Sequence, residues 1–84
     1  MHIVIFGRPG CPFCVRAQHL AKQLEVSQGA SHRYVDMQEE GVTKADLEKT
    51  IGKPVTTVPQ VFIDKNHIGG YTEMEAHARQ QGWI

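Results

Sequence analysis

The amino-acid sequence predicts an α/β fold, a mixed β-sheet with helices on both faces. Short apolar, β-branched runs typical of strands alternate with segments of helical periodicity. The first two runs lie about 30 residues apart, which is the length of a βαβ unit with parallel strands. Only a few polar residues separate the last two runs, as in a hairpin. The predicted order is therefore βαβ, helix, ββ, helix.

The predicted βαβ unit begins with a strand over residues 3–6, a continuous apolar run that indicates burial on both faces. Turn residues follow, and a helix begins near Cys11 with Pro12 at its first position, where the missing N–H costs nothing. Its apolar residues recur at spacings of three and four: Phe13, Ala17, Leu20, Ala21 and Leu24. The helix is predicted to end around residues 27–29, and residues 34–37 are predicted to form the second strand.

A short helix is predicted over residues 43–51. Thr43 is its cap, Asp46 takes the place of the usual capping-box acid, and Gly52 is a natural stop. The preceding acidic stretch, residues 38–40, is predicted to be a solvated patch without chemistry. The lysines in and after the helix are predicted to lie on a solvated helix face, with contact to a partner protein as the alternative: Lys44, Lys49 and Lys53.

The end of the chain is predicted to form a hairpin and a last helix. Residues 61–63 and 67–69 are the two hairpin strands. Thr72 and Glu75 have the spacing of a capping box, so they are predicted to open a helix that ends near Gln81.

Length and charge limit the classes of protein that this chain resembles. Its 84 residues make a single domain, residues 1–84, because they leave no room for a second core. Nine Lys and Arg balance nine Asp and Glu, which argues against binding to nucleic acid or to a membrane surface. The apolar run near the start is too short for a signal peptide or a membrane span. We therefore expect a cytoplasmic protein, whose two cysteines serve redox or metal chemistry.

The strongest signal in the sequence is the pair Cys11 and Cys14 at the start of the first helix. Unpaired backbone N–H groups and the helix dipole favour an anion there, and such placement lowers a cysteine pKa from about 8.5 to about 3.5–7.5. Residues three apart on a helix lie ~5–6 Å apart at Cβ, within reach of a disulfide after small adjustment. Cys11 is predicted to be exposed and to attack, and the more shielded Cys14 to resolve the intermediate.

Arg8 precedes the pair and is predicted to add positive charge beside the Cys11 thiolate; the alternative is an ordinary surface charge. A C-x-x-C pair can also be half of a zinc site, but zinc needs two further ligands, and the chain has no second cysteine pair. No metal site is therefore expected. The histidines are scattered and predicted to be surface residues: His2, His19, His32, His67 and His77.

Three motifs occur in order along the chain. They are Cys11-Pro12-Phe13-Cys14, Thr57-Val58-Pro59 and Gly69-Gly70-Tyr71-Thr72-Glu73. With the lengths between them, these motifs resemble the glutaredoxin family over essentially the whole chain, most closely its small bacterial dithiol type, glutaredoxin 1. The resemblance implies a thioredoxin fold with a four-stranded mixed sheet, glutathione as the reducing co-substrate and no tightly bound cofactor.

The resemblance also implies roles for the first two motifs. Cys11 matches the nucleophile and Cys14 the resolving thiol of the family. Thr57 to Pro59 matches a segment whose proline is cis; the alternative is a trans proline at the start of a strand. The backbone of Val58 would pair with the cysteinyl part of glutathione, as one strand edge pairs with another.

The third motif resembles the site for the γ-glutamyl end of glutathione. Gly69 and Gly70 let a ligand approach the backbone closely. Thr72 and Glu73 begin a helix whose free N–H groups suit the γ-glutamyl carboxylate. A hairpin exit followed by a helix cap is the simpler interpretation, and both can hold at once. Arg8 would face the glycyl carboxylate, while Phe13 and Tyr71 would line the groove.

Two residues depart from the family pattern. Phe13 stands where many relatives carry Tyr, so a hydroxyl beside the disulfide is lost. Glu73 stands where Asp is commoner, which changes the carboxylate that would contact the glutathione amine. Neither change alters the thiol chemistry.

The sequence thus predicts a glutathione-dependent thiol–disulfide oxidoreductase that reduces protein disulfides and glutathionylated mixed disulfides. The resemblance implies a monomer with ribonucleotide reductase among its partners. One alternative is a related redoxin that takes electrons from thioredoxin reductase. Another is an iron–sulfur cluster binding module, which Pro12 disfavours because cluster-holding relatives often have Gly at that position.

Overall fold

A computed structural model describes all residues, Met1–Ile84. Its elements in chain order are β1 His2–Gly7, α1 Pro12–Gln28, β2 Ser31–Asp36, α2 Met37–Glu40, α3 Lys44–Ile51, β3 Gln60–Ile63, β4 Asn66–Gly69 and α4 Tyr71–Gln80. The strands form one sheet in the order β2-β1-β3-β4. β1 pairs with β2 in parallel, whereas β3 is antiparallel to β1 and to β4. The predicted mixed sheet, parallel βαβ unit and hairpin are confirmed.

One face of the sheet forms the core beneath α1 and α4. Ile3 and Ile5 of β1 and Val61 of β3 are fully buried, together with Leu24 of α1 and Met74 of α4. Each such side chain stabilises the fold by roughly 1.5–3 kcal/mol relative to exposure. This core fixes the orientation of α1, and hence of the cysteine pair at its start.

The opposite face is covered less completely. Buried Leu47 belongs to α3, and Thr50 of α3 lines a groove with Val4, Phe6 and Phe62. Val4 and Phe6 are only half-buried, so the prediction that β1 is buried on both faces is wrong for this side. The reason is the length of α3, which is too short to cover the sheet. Helices nevertheless lie on both faces, as predicted.

Strand β2 differs from its prediction at both ends. It starts at Ser31, because polar residues pair there with the first residues of β1. It stops before Met37, which begins α2 instead of ending the strand. The Asp36 carboxylate accepts hydrogen bonds from the backbone N–H groups of Gln38 and Glu39, at 3.0 and 3.1 Å. This side-chain cap starts a helical turn. Residues 38–40 are all exposed, so the predicted solvated patch is confirmed.

The predicted capping box of α4 is wrong, whereas that of α3 is confirmed. Thr43 and Asp46 exchange both hydrogen bonds, at 2.9 and 3.1 Å. In α4, Gly70 is the N-cap, and Glu73 accepts from its N–H at 2.8 Å. The helix starts earlier than predicted because Gly69, with φ of 126°, turns the chain before Thr72. None of the helices is long and apolar enough to cross a membrane.

Candidate active site

The site begins with the Cys11–Cys14 disulfide at the start of α1. Cys11 is the N-cap residue of the helix, and Pro12 occupies the first helical position, as predicted. The backbone N–H of Cys14 donates to Cys11 Sγ across 3.2 Å. The sulfur therefore takes the place that an N-cap oxygen usually holds, where the helix dipole also favours negative charge.

Both cysteines are shielded from solvent in the disulfide form. Cys11 is 8% exposed and Cys14 is 1% exposed. The prediction of an exposed Cys11 is wrong for this state, because the loop that carries Val58 covers it: the Val58 carbonyl oxygen lies 3.8 Å from Cys11 Sγ. The predicted difference in shielding is confirmed, since Cys14 is the more deeply buried.

A groove of about 230 Å³ runs past the disulfide. Eight residues line it, all of them predicted from the sequence: Phe13, Thr57, Val58, Pro59, Gly70, Tyr71, Thr72 and Glu73. The Val58–Pro59 peptide bond is cis, as the resemblance implied. Three chain segments that are far apart in sequence thus meet beside the cysteine pair.

The aromatic side of this groove is formed by Phe13 and Tyr71. Their ring centroids lie 6.2 Å apart, and Phe13 is 50% exposed. Arg16 Cζ lies 5.1 Å from the Phe13 ring centroid, within cation–π distance. The Tyr71 hydroxyl donates to Glu75 at 3.0 Å. Burial and this bond raise the pKa of Tyr71, which keeps its phenol neutral.

The other end of the groove is the first turn of α4. One oxygen of Glu73, Oε1, is engaged by the Gly70 N–H, and Oε2 has no hydrogen-bond partner. A Cβ on Gly69 would lie 2.9 Å from the Glu73 side chain, and one on Gly70 would lie 3.5 Å from the Pro59 carbonyl oxygen. The glycine pair therefore allows Glu73 and the loop at Pro59 to pack tightly.

A second cavity of about 210 Å³ adjoins the groove and shares Thr57 and Val58 with it. Arg8 and Lys44 both line this cavity, together with Met37. The sequence predicted Arg8 as a site residue but placed Lys44 on a solvated face and gave Met37 no role. A signal existed: Arg8 and Met37 follow the carboxyl ends of two parallel strands, which meet at one edge of a sheet.

Side chains from outside the groove hold the loop that carries residues 57–59. Buried Gln60 donates through Nε2 to the Thr57 carbonyl oxygen at 2.8 Å, and its Oε1 lies 2.7 Å from His67 Nε2. Burial, followed by the charge of Lys53, lowers the pKa of His67. This chain of polar contacts has no signal in the sequence, because it joins a loop, β3 and β4.

The structure has no group of three or more His, Cys, Asp or Glu side chains that could hold a metal ion. Four histidines have other partners, and one of them is His2, whose Nδ1 lies 2.8 Å from Ser31 Oγ. His32 pairs with Glu25 at 2.6 Å, His67 contacts Gln60, and the His77 ring packs on Trp83.

Residues 3–68 match the family model for glutaredoxin. The chain belongs to the glutaredoxin family. Glutaredoxin from Vibrio cholerae is 62% identical over 81 residues, covering 95% of this chain and 93% of the relative. Glutaredoxin 1 from Escherichia coli is 52% identical over 81 residues and covers 95% of each chain. The chain is therefore a glutaredoxin of the glutaredoxin 1 type.

Solved glutaredoxin structures share the architecture. Reduced Escherichia coli glutaredoxin has a TM-score of 0.90 at 49% identity, with 100% of both chains covered. A buckwheat glutaredoxin–glutathione complex has a TM-score of 0.72 at 30% identity and covers 95% of this chain and 69% of that one. The sheet with its flanking helices is thus the thioredoxin fold. With the Cys11–Cys14 pair, the chain is a thiol–disulfide oxidoreductase that, like glutaredoxins generally, uses glutathione.

Proposed function

We propose that the groove binds glutathione along its length and presents its sulfur to Cys11. Glutathione has a carboxylate at both ends: the glycyl carboxylate at one, and the γ-glutamyl carboxylate beside a protonated amine at the other. The two cavities that share Thr57 and Val58 form a single path with matching chemistry. This continuity is the observation that carries the proposal, and the buckwheat relative with bound glutathione supports it.

Each end of the proposed path has suitable partners. Arg8 and Lys44 would bind the glycyl carboxylate through charge-assisted hydrogen bonds. The free backbone N–H groups of Tyr71 and Thr72, in the first turn of α4, would bind the γ-glutamyl carboxylate. Glu73 Oε2, which has no other partner, would accept from the amine. The departure from the commoner Asp would then be tolerated, because Oε1 is already fixed by Gly70.

Between these ends, the Val58 backbone would pair with the cysteinyl backbone of glutathione. This contact places the glutathione sulfur at the Cys11 side of the disulfide, where the Val58 carbonyl oxygen already lies 3.8 Å from Sγ. Phe13 and Tyr71 would cover the apolar part of the tripeptide. Pro59 bounds the same stretch of the groove.

Two reactions follow from this arrangement. With a protein disulfide, the Cys11 thiolate attacks one sulfur and expels the other as a thiolate. Cys14 then attacks Cys11 of the mixed disulfide, which releases the reduced protein and leaves the Cys11–Cys14 disulfide. Two glutathione molecules restore the dithiol and leave as glutathione disulfide. With a glutathionylated substrate, Cys11 takes the glutathionyl group and a second glutathione removes it, so Cys14 is dispensable.

The cellular setting is part of the same proposal. The 84 residues would act as a single-domain monomer in the cytoplasm, where a glutathione pool keeps thiols reduced. Glutathione and disulfide-bonded or glutathionylated proteins would be its partners, with ribonucleotide reductase as a candidate. No tightly bound cofactor is needed, because electrons pass between sulfur atoms.

The test compares reductants on one substrate. Purified protein is given a small glutathione mixed disulfide and either glutathione with its reductase or thioredoxin reductase with NADPH. Rapid turnover with the glutathione system alone is the expected result. Turnover with thioredoxin reductase alone would overturn glutathione dependence.

An Arg8→Ala, Lys44→Ala double variant should raise the KM for glutathione, whereas a double variant of two solvated lysines, Lys22→Ala with Lys65→Ala, should not.

A further inference from the structure

Gly7, the last residue of β1, lies between the Tyr34 hydroxyl group and Cys14 Sγ. The position of a Cβ on Gly7 lies 2.4 Å from the Tyr34 hydroxyl oxygen and 2.9 Å from Cys14 Sγ. Tyr34 belongs to the neighbouring strand β2, and its ring packs against the core. Because Gly7 has no side chain, the phenol hydroxyl and the sulfur of Cys14 border the same small space.

The two sulfurs of the disulfide have different surroundings. Cys11 Sγ receives the backbone N–H of Cys14, whereas no hydrogen bond to Cys14 Sγ is present. Cys14 is also the more buried residue. Burial without a hydrogen bond disfavours a thiolate, since the charge loses its hydration and gains no compensating donor. The reaction nevertheless creates a negative charge on Cys14 each time the disulfide is opened at Cys11.

We propose that the Tyr34 hydroxyl donates a hydrogen bond to Cys14 Sγ when this sulfur is a thiolate. The inference deepens the two-cysteine reaction proposed above and depends on it. When a glutathione thiolate attacks Cys11 Sγ, a bond forms between these two sulfurs and the Cys11–Cys14 bond breaks. The bonding electron pair leaves on Cys14 Sγ, which Tyr34 stabilises until the sulfur takes a proton from water. In the reverse direction, the same bond stabilises the Cys14 thiolate that attacks the mixed disulfide.

The surroundings of Tyr34 suit a donor that keeps its proton. Burial, and then the negative charge of Asp36, raises the pKa of Tyr34 above its usual value near 10, while the Gln18 side chain opposes this shift. Asp36 is the charged group that acts on the phenol in this neighbourhood. At neutral pH the hydroxyl therefore stays protonated and can donate to a sulfur anion without transferring its proton.

Tyr34→Phe removes the hydroxyl with little change of shape. A hydrogen bond to a charged group has a large effect on a rate, so we expect the single-turnover reduction of the Cys11–Cys14 disulfide by glutathione to slow by roughly tenfold or more. The same substitution in a Cys14→Ser background should leave turnover of a glutathionylated substrate within about twofold, since Cys14 takes no part in that route. Slowing confined to the two-cysteine route supports the proposal.

Either of two results with Tyr34→Phe would overturn the inference. One is an unchanged single-turnover rate in Tyr34→Phe. The other is an equal loss in the Cys14→Ser background, which indicates a structural role or poor folding.

A second variant carries 3-fluorotyrosine at position 34, a stronger donor of nearly the same shape. It should open the disulfide at least as fast as the natural side chain, and a rate as low as that of Tyr34→Phe would contradict the hydrogen bond. If both cysteine variants and the wild type fail with glutathione, the proposed function itself is wrong.

Discussion

The backbone N–H of Cys14 points at Cys11 Sγ, with 3.2 Å between nitrogen and sulfur. The residue that supplies the second thiol thus stabilises the first sulfur through its own amide. Pro12 has no backbone N–H. The first free N–H donors of the helix therefore follow Pro12, and that of Cys14 faces Cys11 Sγ. The two cysteines are therefore unequal before any substrate arrives.

This inequality predicts different outcomes for the two serine variants. Cys11→Ser should abolish reduction of both a protein disulfide and a glutathionylated substrate, because the stabilised nucleophile is lost. Cys14→Ser should retain deglutathionylation and lose two-cysteine reduction of the protein disulfide. Coupled assays with each substrate measure both activities. Equal losses in the two variants would contradict the assignment of Cys11 as the attacking thiol.

Gly7→Ala should destabilise the fold. The added Cβ would meet the Tyr34 hydroxyl at 2.4 Å and Cys14 Sγ at 2.9 Å. Overpacking of this kind costs about 1–3 kcal/mol in the free energy of unfolding. Urea denaturation of the disulfide form measures the loss. Val26→Thr on the exposed side of α1 is the control and should change stability by less than about 0.5 kcal/mol.

A double-mutant cycle tests whether the clash in Gly7→Ala involves the hydroxyl. Adding Tyr34→Phe should restore part of the lost stability, because the closest of the clashing atoms is removed. If the two single variants lose amounts of unfolding free energy that add in the double variant, the cost of Gly7→Ala arises elsewhere in the packing around β1.

Glu73→Gln should weaken glutathione binding. The amide removes the negative charge that would face the glutathione amine but can still accept from the Gly70 N–H. We expect the KM for glutathione to rise by roughly tenfold, the effect of one charge-assisted hydrogen bond. Glu73→Asp keeps the charge and should have a smaller effect.

The matched control is Glu39→Gln, which removes the same charge from an exposed residue of α2. It should leave the KM within about twofold. A comparable rise in Glu39→Gln would attribute the change to net charge instead of to a contact in the groove.

His67 should make stability depend on pH. Burial lowers its pKa, so the folded state prefers the neutral imidazole while the unfolded chain binds a proton with a pKa near 6.5. The contribution of neutral His67 to the free energy of unfolding is therefore complete above about pH 6.5. It is lost as the pH falls towards the pKa of His67 in the folded state. His67→Gln should reduce the difference between urea midpoints measured at about pH 7.5 and about pH 5. If His67→Gln leaves the difference between the two urea midpoints unchanged, other groups cause the pH dependence.

Local signals in the sequence were sufficient for much of the site. The spacing of Cys11 and Cys14, with Pro12 between them, places both sulfurs in the first turn of a helix whatever the rest of the chain does. The Thr43–Asp46 capping box is local in the same sense. For α4 the local signal was misleading: Thr72 and Glu75 have capping-box spacing, but the turn at Gly69 moves the start of the helix.

By itself, the sequence determined the chemistry of this protein: a sulfur at a helix start, within disulfide reach of a second, and three motifs that mark the family. The tertiary structure decided which distant groups join them. Lys44 beside Arg8 and Tyr34 beside Cys14 depend on the pairing of β1 with β2 and on where the loops after them return. Such neighbours have no fixed spacing in the chain, because packing of the sheet and the close approach allowed by Gly7, and not helical or strand periodicity, bring them together.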